Sequence, residues 1–334
     1  LLFDVAGRRW SDEMLGALGI PRAWLPECFE SPEVAAYVSR AAAAETGLPP
    51  GIPVVAGAGD QAAGAVGNSI IRQGQASCVL GTSGVLFWSC DTPAHDREAR
   101  LHSFCHAAPG KWHLMGVTLA AGGSLRWFRD TLCESETERA RLEGVDEYEL
   151  ITALAERVEP GSEGLVFLPY LSGERTPYSD PKARGAFIGL SLRHSKAHMA
   201  RSVLEGVALS LLDCIELARE IGVDTTRVYA SGGGARSALW RSILADCFGA
   251  EVARVGVDEG PAYGAAILAS VGVGMFDCVD DACRRFVKET GSAINPCVER
   301  VEVYRRLHSI YRPLYSALRD FYERDAEFVS YASG

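Results

Sequence analysis

The sequence predicts an α/β fold on three observations. Short apolar strands bounded by Gly, Pro or Ser interleave with stretches of helical periodicity. Glycine, 35 of 334 residues, gathers at a few points, and one of those points joins a strand directly to a helix. With 48% hydrophobic residues there is enough apolar side chain for a sizeable core, and the length suggests about two domains. The charges, 33 basic against 43 acidic, give a net charge of −10. Such a chain repels phosphate backbones, and no run supplies the local basic patch that nucleic acid would need. It has no uninterrupted apolar run of about 18 residues, and its first residues, Leu1-Leu2-Phe3-Asp4, lack the basic-then-apolar pattern of a signal peptide. Neither nucleic acid nor a membrane is an expected partner.

The elements follow in order. Ser31 as N-cap, Pro32 at the first helical position and an acidic Glu33 predict a helix through the alanines to residue 45, closed by Gly47 and Pro49-Pro50. A strand over 53–56 leads into Gly57-Ala58-Gly59 and a small-residue helix over 61–67. Strands over 77–80 and 85–88 flank Gly81-Thr82-Ser83-Gly84, the pattern of an antiparallel hairpin. A further strand fits 165–168. Met199, Val203, Val207, Leu211, Ile215 and Ala218 recur at three- and four-residue spacing, which predicts a core helix from 195 to 221 closed by Gly222. A strand over 227–230 passes through Gly232-Gly233-Gly234 into a helix reaching about 248, and a last helix, 301–323, should kink at Pro313. Ten cysteines without a C-x-x-C pair read as reduced, mostly buried residues of a cytoplasmic protein. The group His102, Cys105, His106 and His113 lacks the ligand spacing of a zinc site, so no metal-binding residue is assigned.

Several known chemistries are excluded or weakened. Gly57-x-Gly59-x-x-Ala62 meets a dinucleotide fingerprint superficially, but the next strand ends in Leu80-Gly81-Thr82-Ser83, with no acid to hold a ribose. Val85 stands where a hydrolase elbow requires Gly, and no G-x-x-x-x-G-K-[ST] run exists. What remains is a set of candidates. Asp60, between Gly59 and an almost uncharged helix, reads either as a helix cap or as a general base against a substrate hydroxyl. The Gly81–Gly84 turn offers two hydroxyls and closely approachable backbone, either as a plain hairpin turn or as a cup for an anion. The three glycines at 232–234 offer bare backbone at the positive end of a helix, either for tight packing or for a flat or anionic ligand.

In this order, Gly59-Asp60-Gln61-Ala-Ala-Gly64, Gly81-Thr82-Ser83-Gly84, the run from Phe167 through Gly173-Glu174-Arg175-Thr176-Pro177, Gly232-Gly-Gly-Ala-Arg-Ser237 and Gly260-Pro-Ala-Tyr-Gly264 resemble the FGGY carbohydrate kinases. Within that family the Gly173–Pro177 loop and its continuation to His194 are most similar to the xylulokinase type. The resemblance implies a ribonuclease H-like, actin-like ATPase fold: a C-terminal ATP-binding lobe over 76–334 and, over 1–75, the end of an N-terminal sugar-binding lobe that includes Asp60. Nothing in 1–52 matches the family's opening Asp-x-Gly-Thr strand, so the chain is expected to start late in the first lobe.

Residue by residue, the resemblance implies Asp60 as catalytic base and, with Gln61, as a sugar contact. It implies Gly81, Thr82 and Ser83 around the ATP phosphates, Gly122 at a nucleotide-contacting turn, and Gly233, Gly234 and Ala235 under the adenosine. ATP and Mg2+ are the implied cofactors and a small-molecule sugar the implied partner, with a homodimer left open. The reaction implied is phosphorylation of D-xylulose to D-xylulose 5-phosphate. A nucleotide-binding but catalytically silent chain, and a kinase of the same family for gluconate, ribulose or glycerol, are the alternatives. The loop over 169–186 is expected at the cleft between lobes, with Arg175 meeting either a phosphate or merely Glu174 or Asp180.

Overall fold

A computed structural model describes residues 2–254 and 260–333. The strands are β1 (Phe3–Asp4), β2 (Arg9–Trp10), β3 (Val34–Tyr37), β4 (Pro53–Val55), β5 (Gln75–Leu80), β6 (Gly84–Cys90), β7 (His102–Cys105), β8 (Trp112–Thr118), β9 (Val166–Leu168), β10 (Ala186–Ile188), β11 (Arg227–Ser231) and β12 (Glu251–Arg254). The helices are α1 (Asp12–Leu18), α2 (Arg40–Thr46), α3 (Asp60–Gly67), α4 (Gly122–Leu132), α5 (Glu134–Glu143), α6 (Glu147–Glu156), α7 (Lys196–Glu220), α8 (Ala238–Phe248), α9 (Gly260–Gly272), α10 (Val279–Phe286), α11 (Val298–Tyr311) and α12 (Leu314–Ser333). None of the described helices is long and apolar enough to cross a membrane.

The centre is a six-stranded sheet in the order β12-β11-β5-β6-β8-β7. Strands β12, β11 and β5 run parallel, which requires helical crossovers, while β5-β6-β8-β7 is antiparallel, with short connections from β5 to β6 and from β7 to β8 and a longer one from β6 past β8 to the edge strand β7. The expected hairpin is present, with Leu80 opposite Gly84. Helix α7 crosses this sheet, and every residue from Ala200 to Ile215 is buried. The apolar spacing in the sequence accounts for only part of that burial. Arg201, Glu205, Ser210 and Asp213 lie inside as well, each with hydrogen-bonding partners. Trp88, Phe128, Phe167 and Trp240 fill the space around the helix, each fully buried and worth roughly 1.5–3 kcal/mol in apolar transfer. The indole N–H groups of Trp88 and Trp240 find Thr225 Oγ1 at 2.7 Å and the Leu204 carbonyl at 3.1 Å.

Two expectations require correction. The helix predicted from 31 to 45 is instead strand β3 followed by the short helix α2. The cap is Ser39, whose Oγ accepts from the Ala42 amide at 3.1 Å, and Gly47 ends the helix in the left-handed conformation. Pairing of β3 with β4, Tyr37 opposite Pro53 and Val34 opposite Val55, overrides the helical preference of the intervening alanines. At the other end Pro313 does more than kink a helix: α11 ends at Tyr311 and α12 begins at Leu314.

Candidate functional site

Three backbone segments meet where β5 ends. The first is the turn Gly81–Ser83 between β5 and β6. The second is the start of α4, whose amides hold that turn: Ala121 N donates to the Thr82 carbonyl at 2.9 Å, Gly122 N to the Gly81 carbonyl at 2.8 Å and Gly123 N to the Thr82 carbonyl at 3.0 Å. The third is the turn after β11, where Gly232 has φ +83° and a Cβ on it would lie 2.7 Å from the Leu80 carbonyl oxygen. That close approach in the left-handed region leaves only glycine at 232. A Cβ on Gly234 would likewise meet Leu80 and Trp240 at under 3 Å. Gly233 and Gly234 belong to a single 3-10 turn, Gly233–Arg236, in which Ala235 is buried; α8 then starts with Ser237 Oγ accepting from the Trp240 amide. The residues Gly81, Thr82, Ser83, Gly122, Gly233, Gly234 and Ala235, scattered over 155 positions of sequence, are therefore gathered at one end of the parallel strands. The hydroxyls of Thr82 and Ser83 form no hydrogen bond within the described residues, and Thr82 is exposed.

Asp60 and Gln61 open α3, on a separate element. Asp60 is exposed, and its Oδ1 accepts the Gln61 amide at 2.8 Å. No described ion pair or hydrogen bond links it to the turns at β5. Helix packing positions it. A Cβ on Gly264 of α9 would fall 1.8 Å from the Ala63 carbonyl oxygen, and one on Gly67 of α3 would fall 2.1 Å from the Gly260 carbonyl, so these two helices cross backbone to backbone. At its far end α9 is pinned by Gly272 against Val55 and the Pro32 carbonyl. Helix α3, with Asp60 at its first position, is thus fixed by close backbone approach at glycines together with the apolar cluster that Ala62 and Val66 form with Ile267 and Leu268.

The 169–186 loop lies against the antiparallel part of the sheet and the C-terminal helices. Its described hydrogen bonds and ion pairs go to β8, α7, β7 and the C-terminal helices, and none reaches residues 2–75. Arg175 meets neither the Glu174 nor the Asp180 carboxylate through its guanidinium; Nε and Nη2 lie 3.1 and 2.8 Å from His102 Nε2. Burial and that neighbouring cation hold His102 below its ordinary pKa. A polar cleft of about 300 Å³, lined by Arg100, His102, Arg175 and Tyr178, lies along this loop and includes none of the candidate residues. Sequence reasoning missed Glu174 itself. Its side chain is 2% exposed, and burial pushes its carboxyl up to about 7 although four hydrogen-bond donors face it. An acid set directly after a glycine and before an arginine reads as surface charge, and only tertiary packing shows otherwise. Among the described residues no group of three His, Cys, Asp or Glu side chains is disposed to hold a metal ion.

Comparison with known proteins bears on this arrangement. The model of the FGGY family of carbohydrate kinases, C-terminal domain, matches residues 76–273, and that of the N-terminal domain matches 1–67. The chain is 35% identical over 320 residues to a xylulose kinase of Bacillus subtilis (strain 168), covering 96% of this chain and 62% of that protein. It is 35% identical over 332 residues to a gluconokinase of the same organism, covering 98% and 63%. Among solved structures, the xylulose kinase from Rhodospirillum rubrum superimposes with a TM-score of 0.84 at 34% identity, over 94% of this chain and 61% of that one. The chain spans about three fifths of the length of the curated relatives it matches. The central sheet and its helices are of the actin-like ATPase type shared with these structures.

Proposed function

The chain belongs to the FGGY family of carbohydrate kinases, and on that premise we propose that it serves the ATP-dependent phosphorylation of D-xylulose at its C5 hydroxyl. The observation that carries the nucleotide half of this reading is the convergence at β5 of the Gly81–Ser83 turn, the start of α4 and the Gly232–Ala235 turn. A triphosphate needs many short neutral donors and close backbone approach, and these segments offer glycine backbone with two unengaged hydroxyls. In this reading Gly81, Thr82, Ser83 and Gly122 surround the phosphates, and Gly233, Gly234 and Ala235 underlie the adenosine. Magnesium enters as MgATP, as part of the substrate.

Asp60 is the base. Its carboxylate, exposed and outside any described ion pair, accepts the hydroxyl proton as the sugar oxygen bonds to the γ-phosphorus and the bond from that phosphorus to the β–γ bridging oxygen breaks, releasing ADP. Gln61, next on the same helix, contacts the sugar. Base assistance of this kind contributes about 10²–10⁴-fold, and positioning and charge stabilisation contribute the rest.

One observation favours a second substrate reading: the gluconokinase relative matches as much of the chain, at the same identity, as the xylulose kinase does. ADP release followed with D-xylulose, D-ribulose, D-gluconate and glycerol in parallel tests both. Release that depends on D-xylulose above the others supports the proposal, a preference for gluconate transfers the assignment to that sugar acid, and no dependence on any of the four leaves a nucleotide-binding, catalytically silent chain.

A further inference from the structure

Glu174 reaches the β8–α4 junction from the loop that follows β9. Oε2 accepts from Thr118 Oγ1 at 2.7 Å and from Ser210 Oγ at 3.3 Å; Oε1 accepts from the Leu119 amide at 3.0 Å and from the Arg175 amide at 2.7 Å. Thr118 lies opposite Gly84, the first residue after the turn at 81–83, and a Cβ on Gly84 would be 2.8 Å from the Thr118 methyl. Thr118 therefore rests one branch of its side chain against Gly84, where the turn enters β6, and gives the other to Glu174. Two to four residues beyond Leu119 come the amides of Ala121, Gly122 and Gly123 that hold the Gly81 and Thr82 carbonyls. A single carboxylate thus fixes the first two residues, Thr118 and Leu119, of the short connection against which the turn is shaped.

We propose that Glu174 is a positioning residue for the nucleotide site, holding the Thr118–Gly122 connection so that the Gly81–Ser83 turn keeps the shape that receives phosphate. The inference rests on the reading of that turn as the phosphate cup, and it adds a residue which touches no substrate itself. The hold is electrostatically unusual. No described cation pairs with this carboxylate, and the Arg175 guanidinium is turned to His102. The titratable groups bearing on it are Cys214 from α7, Tyr311 from α11 and Tyr178 from its own loop, all pushed upward by burial and therefore neutral. Burial raises the carboxyl to about 7, so near neutral pH it exchanges between an anion that accepts four hydrogen bonds and an acid with fewer sites to offer.

Glu174→Gln and Glu174→Ala separate positioning from mere support of the loop. Two readouts are needed: deuterium exchange at the amides of Ala121, Gly122 and Gly123 without nucleotide, and ADP affinity by calorimetry between pH 6 and 8. The proposal expects exchange at those three amides to rise by roughly tenfold in the alanine variant. It expects wild-type ADP affinity to fall below pH 7 more steeply than that of Glu174→Gln, which should be weakened at pH 8; titration of the ADP phosphate is common to both and cancels in the comparison. Unchanged exchange at 121–123 in both variants overturns it, as does faster exchange with ADP affinity and its pH profile left at wild-type values. If Glu174→Ala fails to fold, Glu174→Gln decides on the same criteria. If wild-type protein binds no ADP, the nucleotide-site reading falls, and the exchange result alone still decides whether Glu174 holds the turn.

Discussion

The Gly122 amide donates to the Gly81 carbonyl at 2.8 Å, and a Cβ placed on Gly122 would lie 2.4 Å from that same oxygen. The hydrogen bond that shapes the candidate phosphate turn therefore exists only because position 122 has no side chain. Gly122→Ala must push the start of α4 away from the turn, a backbone clash that no rotamer relieves. Overpacking of this kind costs about 1–3 kcal/mol. ADP affinity measured by calorimetry should drop by about tenfold or more with the far-ultraviolet circular dichroism unchanged, and wild-type affinity in the variant would contradict this use of the glycine.

The contact between α3 and α9 predicts a stability effect instead. Gly264→Ala sets a methyl 1.8 Å from the Ala63 carbonyl and 2.9 Å from the Gly67 amide nitrogen, both backbone atoms. The helices must separate along their crossing, at a cost near the upper end of about 1–3 kcal/mol. The urea midpoint should fall accordingly. Gly274→Ala, at a glycine with open space around it, is not an equivalent control because its φ of +75° disfavours a side chain; Gly16→Ala, inside α1 with nothing near and an ordinary φ, should not lower the midpoint and can raise it, by about 0.5–1 kcal/mol of helix preference.

Acid sensitivity should come from two buried histidines. Burial lowers His106 to about 4 and His113 to about 3 from an ordinary 6.5. His106 is held neutral with Nε2 donating to the Ile70 carbonyl at 2.8 Å and Nδ1 accepting the Ala108 amide at 2.9 Å. Because both folded values lie below the unfolded one, the unfolded chain binds the extra protons: their effect is absent above pH 6.5 and grows as pH falls toward 4. Each can remove up to about 1.4 kcal/mol per pH unit in that window. His113 stacks on Phe87 at 4.3 Å and its Nδ1 has no partner, so His113→Phe should keep stability at pH 7.5 and lessen the loss at pH 5. Urea melts at the two pH values check it; equal losses in variant and wild type would contradict it. Glu174 acts oppositely, since a folded value of about 7 above an ordinary 4.5 lowers stability as pH rises through that interval.

What was legible in the sequence was what local rules dictate. The hairpin at 81–84 is carried by its own turn residues, the long core helix by its apolar spacing, and the strand-to-helix turn at 231–238 by three glycines; all lie where their residues predict. Residues 31–45 misled because alanine favours a helix locally while pairing with β4 decides otherwise. Glu174 was unreadable because nothing near it in sequence shows that Thr118, Leu119 and Ser210, 56, 55 and 36 positions away, will close around it. The meeting of 81–83, 122 and 233–235 at one strand end was legible only through resemblance, since strand order is a long-range property.

The central claim is that Asp60 takes the proton of a sugar hydroxyl during phosphoryl transfer from ATP. The direct measurement is the rate of D-xylulose-dependent ADP release by wild type and by Asp60→Asn, with ADP affinity measured alongside. The account predicts sugar-dependent release in wild type, a loss of about 10²-fold or more in the variant and unchanged ADP affinity. Release that is equal with and without sugar in wild type, or turnover by Asp60→Asn close to the wild-type rate, would contradict it.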